Sequence, residues 1–98
     1  MKLVVSAALD ELHHATAFYI ARSDKKLGLA FTAEFNRAAN LLIGNPEIGQ
    51  VFHGDMRRFV MRRFPYNVLY HTVSGELHIL AIAHQSRRPG YWASRKSP

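Results

Sequence analysis

The sequence predicts an α+β domain: an N-terminal strand and a helical hairpin packed on one face of a small antiparallel sheet. Three observations carry the expectation. Apolar residues recur at helical spacing up to Leu42, they recur at strand spacing after Pro46, and Gly44-Asn45-Pro46 marks the change. With 98 residues the chain has the length of one domain with one modest core, so fold and function must share the same few elements.

Lys2 to Val5 (KLVV) reads as a short strand. Ser6 is placed to cap a helix from Ala7 to Ala21, with Asp10 and Glu11 near the positive end of its dipole. Leu9, Leu12, Thr16 and Tyr19 step along one face of that helix. Ser23-Asp24 breaks the chain and caps a second helix. There Leu27, Phe31, Phe35, Ala38 and Leu42 form one apolar stripe, which Gly44-Asn45-Pro46 ends. Arg57 to Phe64 reads as the first strand of a meander, and Pro65 interrupts it. Tyr66–Val73 and Glu76–His84 follow, joined by a two-residue Ser74-Gly75 turn. Pairing Val73 with Glu76 sets His71 opposite His78, Leu69 opposite Leu80 and Asn67 opposite Ile82. Tyr66, Val68, Tyr70, Ile79, Ala81 and Ala83 then share the face assigned to the helices. Asn67, His71, His78 and His84 lie on the open one. Residues 93–98 read as a frayed tail.

Composition narrows the function. Hydrophobic residues at 48% and charged residues at 20% are globular values. The net charge is +6, unevenly placed: five bases meet six acids up to Asp55, and eight bases meet only Glu76 beyond it. A basic second half points to a polyanion or an acidic protein as partner. With no cysteine, disulfides, thiolate metal sites and a cysteine nucleophile are excluded. Asp10 and Glu11 interrupt the apolar start too early for a secretory segment, no membrane span is visible, and a cytoplasmic protein is expected.

The early ALDELHHATAFYIA, NPEIGQ after the second helix, and above all RRFPYNVLYHTVSGELHILAIAHQSRRPGYW carry a resemblance. The chain resembles the RelE/ParE superfamily of bacterial toxins from type II toxin–antitoxin modules, over nearly its whole length. The resemblance implies growth inhibition in a prokaryotic cytoplasm and neutralisation by a cognate antitoxin, acidic and carrying a DNA-binding domain. It implies no cofactor and no metal. RelE-like members cleave messenger RNA, often on the ribosome; ParE-like members poison DNA gyrase. A third possibility is a partner-binding module without toxicity.

Metal-free RNA cleavage requires a general base, cations for the phosphorane and a proton donor for the leaving oxygen. By position, Arg62, His84, Arg87 and Tyr91 match the catalytic groups of RelE-like enzymes. Arg57, Arg58, Arg63, Arg88 and Trp92 are candidates for binding RNA or a partner. Arg57 and Arg58 stand where some family nucleases have a lysine pair, and arginine is a poor base; this shifts the base role to His84 or favours the gyrase reading. Each residue also has a plainer role. His84 could end a strand by bonding a carbonyl, the arginines could form a solvated or antitoxin-binding strip, and Tyr91 and Trp92 could cover a core edge. His71 and His78 read as a cross-strand polar pair, since no third ligand has supporting spacing.

Overall fold

The computed structural model describes residues 1–86. Strand β1 (Lys2–Val4) leads through a 3₁₀ turn, Ser6–Ala8, into helices α1 (Leu9–Arg22) and α2 (Lys25–Gly44). Strands β2 (Gln50–His53), β3 (Met56–Val60), β4 (Tyr66–Val73) and β5 (Glu76–His84) follow. They form one five-stranded sheet in the order β1-β5-β4-β3-β2, antiparallel except where β1 runs parallel to β5.

Helix α1 starts later than expected, and Ser6 does not cap it. The chain tightens into the 3₁₀ turn, closed by Ala8 N–H donating to the Val5 carbonyl at 2.9 Å, and Ala8 is drawn into the core. The second cap is as expected: Asp24 Oδ1 accepts from Leu27 N–H at 3.0 Å. The α2 stripe buries Phe31, Phe35, Ala38 and Leu42, and Leu27 packs at its edge. Phe31, Phe35 and Leu42 meet Val68, Tyr70 and Ile79 of the sheet in the main core, as the spacing predicted. Phe31, Tyr19, Phe64 and Tyr66 add ring contacts with centroids 5.0 to 6.4 Å apart.

The sheet departs from the expected meander in two places. First, Gln50–His53 forms an edge strand that the sequence reading left unassigned. All four residues are exposed, so burial left no alternation to read. Second, the expected β4–β5 register holds from Val73↔Glu76 to Tyr70↔Ile79 and then slips. Tyr70 pairs with Ile79 and Leu69 with Ala81, leaving Leu80 as an extra residue in a β-bulge. A one-residue slip exchanges the faces. Ile82 therefore joins the helix-side core. Ala81 and Ala83 turn away from the helices, into a second cluster with Met56, Leu69 and Leu80. The first meander strand also ends early, at Val60: Met61 and Phe64 are buried as anchors of a loop in which Arg63 takes φ +73°.

Candidate partner and target interface

The bulge decides where the end of β5 points. His84 was expected on the open face, but the slip turns it to the helix side. There it shares a cleft of about 250 Å³ with Glu11, His14, Phe18, Tyr66 and Ile82. Its ring meets Tyr66 edge-on at 5.1 Å. Strand β1 stops at Val4, so among the described residues β5 runs beyond its partner strand on that side, and Glu11 Oε1 accepts the Ile82 N–H at 3.0 Å. An acid chosen by the helix dipole thus also closes a sheet edge.

His84 has its own bonds. Ser86 N–H donates to His84 Nδ1 at 3.1 Å, and the Ser86 hydroxyl lies 2.8 Å from the same atom. A ring nitrogen that accepts carries no proton, so the neutral imidazole holds its proton on Nε2. The lone pair that a general base would use is occupied. Burial, followed by the neighbouring Tyr19, pushes the Tyr66 phenol above its ordinary value, so it stays protonated.

The arginines do not form one strip. Adjacent strand residues face opposite ways, so Arg57 and Arg58 separate. Arg57 donates through Nη1 to the carbonyls of Glu47 (3.1 Å) and Gly49 (2.7 Å). Arg58 donates to Gln50 Oε1 at 3.0 Å and lies 5.3 Å over the Phe52 ring. Arg62 and Arg63 sit on the loop between β3 and β4, both exposed. That loop is rigidly held: Glu34 Oε2 on α2 accepts the Arg62 N–H at 2.7 Å, and Met61 N–H bonds the Tyr66 carbonyl. Gln85 N–H bonds the Pro65 carbonyl, which ties the loop to the end of β5. Arg37 chelates Glu34 through two donors and holds its carboxyl below the usual range, with the Arg62 backbone assisting. The guanidinium of Arg63 lies 5.4 Å over Phe64. Arg87, Arg88, Tyr91 and Trp92, with the Pro89-Gly90 turn and the 93–98 tail, lie outside the described residues.

The sequence reading missed a second fixture, in the NPEIGQ segment. The Tyr70 hydroxyl donates to the Pro46 carbonyl at 2.7 Å and accepts from Gly49 N–H at 3.0 Å. With Arg57 this locks residues 46–49 against the sheet and delivers the chain to β2. A Cβ on Gly49 would stand 2.5 Å from that hydroxyl, so only glycine fits. The signal was present in the sequence, as a glycine immediately before an exposed strand, but its partner lies 21 residues away.

A helical hairpin on one face of a β1-β5-β4-β3-β2 sheet, with a basic loop beside the end of β5, is the frame the resemblance implied. A family model described as the ParE toxin of the type II toxin–antitoxin system parDE matches residues 4–89. The chain belongs to this toxin family. Among solved structures it is similar to a chain titled "Chromosomal ParDE TA system from P. aeruginosa". The TM-score is 0.76 at 18% identity, over 86% of this chain and 95% of that one, a likeness of fold. No curated protein matches the chain. Among the described residues no helix is long and apolar enough to cross a membrane.

Proposed function

We propose that this toxin stops growth by gripping a protein target, DNA gyrase, as the ParE resemblance implies, and that a cognate antitoxin silences it. The observation that carries the reading is the state of His84. Its Nδ1 accepts from Ser86 N–H, so in this arrangement that nitrogen is turned to the chain and not to an incoming hydroxyl. Two of the cations a nuclease would require, Arg57 and Arg58, are committed to the loop carbonyls and to Gln50. Among the described residues, what remains outward at this end is Arg62 and Arg63 with Val60, 55% exposed, beside them. Arginine with apolar surface suits a protein interface better than a catalytic centre. The same loop would attract an acidic antitoxin segment.

Ribosome-linked RNA cleavage is the second reading. It is supported by the exposure of Arg62, which the resemblance matches to a catalytic arginine, at the same end of the sheet as His84. Induced expression with RNA 5′-end mapping separates the two. The protein-target reading expects growth arrest without new 5′ ends, whereas new ends that disappear in His84→Gln would reverse the choice.

A further inference from the structure

We infer that His71 and His78, paired across β4 and β5, bind a first-row divalent cation, with Zn²⁺ the ion to test. The two residues are in direct register, and their ring centroids lie 5.5 Å apart. Two imidazoles on one tetrahedral ion at metal–nitrogen distances of about 2 Å place their centroids about 5 Å apart, so the spacing already suits a shared ion.

Each ring also has a carboxylate at one nitrogen. Asp55 Oδ2 lies 3.7 Å from His71 Nδ1, and Glu76 Oε1 lies 2.9 Å from His78 Nε2. A carboxylate hydrogen-bonded to one ring nitrogen, as Glu76 is to His78, is the arrangement that orients a metal-binding histidine and raises its basicity. Glu76 takes His78 Nε2, so Nδ1 is the nitrogen His78 would offer an ion. His71 is 5% exposed, and neither of its ring nitrogens has a hydrogen-bond partner among the described residues. A buried imidazole left this way is costly unless water or an ion satisfies it. A cavity of about 140 Å³, walled by both histidines with Val4, Ser6 and Leu80, lies beside it. No three His, Asp or Glu side chains among the described residues are arranged to hold an ion by themselves. The other coordination positions therefore fall to water, and imidazole nitrogen selects Zn²⁺, Cu²⁺ or Ni²⁺ over Mg²⁺ or Ca²⁺.

The test is calorimetric titration of tag-free, chelator-stripped protein with Zn²⁺ at pH 7.5, with the imidazole NMR signals followed in parallel. One ion per chain is expected, with the His71 and His78 signals shifting together. His78→Gln, at a half-buried position that tolerates change, should abolish the site. Glu76→Gln, which keeps both rings, should weaken it about tenfold or more. Replacing His13 and His14 by Gln should leave it intact. No ion taken up by the wild type, or uptake undiminished by His78→Gln, would overturn the inference and leave the cavity to water.

Discussion

Gly49→Ala should destabilise the fold far more than a one-carbon change in a loop normally would. The new Cβ would stand 2.5 Å from Tyr70 Oη, 2.8 Å from Cε1 and 3.0 Å from Cζ. Tyr70 is fully buried, so its ring has no free space to move into. Overpacking of this kind costs about 1–3 kcal/mol. A displaced hydroxyl also loses its bonds to Pro46 and Gly49, about 1 kcal/mol each. With the lower end of the overpacking cost, the total is about 3 kcal/mol in a domain whose whole stability is about 5–15 kcal/mol. At about 4–8 °C per kcal/mol, Tm should drop by about 12–24 °C in a circular-dichroism melt. Tyr70→Phe removes the nearest contact but leaves the two ring carbons, so the double variant should recover part of the loss. The two changes should then couple by about 1 kcal/mol in a mutant cycle. Strictly additive losses, or a Gly49→Ala melt like the wild type, would refute the lock between this loop and β4.

Phe35→Ala should cost about 3–5 kcal/mol, seen in a denaturant melt, because Phe35 is buried in the cluster with Val68 and Ile79. Arg58→Glu with Arg62→Glu should slow antitoxin association at low salt in stopped-flow mixing, and added salt should shrink the difference. Glu34 has a lowered pKa, first through its bond to Arg37, so its stabilisation is complete above about 4.5 and is lost as pH falls through its folded value. In denaturant melts followed by fluorescence, the wild type should therefore be more stable than Glu34→Gln above pH 4.5, and the difference should shrink as pH falls below it. Burial raises the phenols of Tyr19, Tyr66 and Tyr70 above 10.0, so stability should hold up to pH 10 and decline beyond it as the unfolded chain ionises first. Absorbance at the phenolate band during alkaline titration checks this.

The helices were legible because both stripes obey one period and Asp24 is an ordinary cap. Phe31, Phe35 and Leu42 could be assigned to the core from spacing alone. The Ser74-Gly75 hairpin was legible too, and both residues take positive φ, 51° and 76°, as the turn requires. The bulge at Leu80 was not. LHILAIA alternates well enough to continue as a plain strand, and no glycine marks the extra residue. That one slip moved Ala81, Ala83, Ile82 and His84 to faces opposite those expected, and with them the surroundings of the main catalytic candidate. Strand β2 was hidden for a different reason: an exposed edge needs no apolar face, so QVFH reads like loop. The site was legible only as a concentration of charge. Arg57, Arg58, Arg62 and Arg63 look like a single strip in one dimension. Strand alternation and a loop latched to Glu34 divide them between two sheet faces and a projecting turn, which needs contacts 28 residues apart.

The central claim is that the toxin acts on gyrase and cuts no RNA. Purified tag-free protein added to gyrase holoenzyme, ATP and relaxed plasmid tests it most directly, with a defined messenger and ribosomes in a matched reaction. The account predicts dose-dependent loss of supercoiling, weakened by Arg62→Glu with Arg63→Glu, and an intact messenger in every lane. Full supercoiling at saturating toxin, together with a cleaved messenger whose cutting depends on His84, would contradict it.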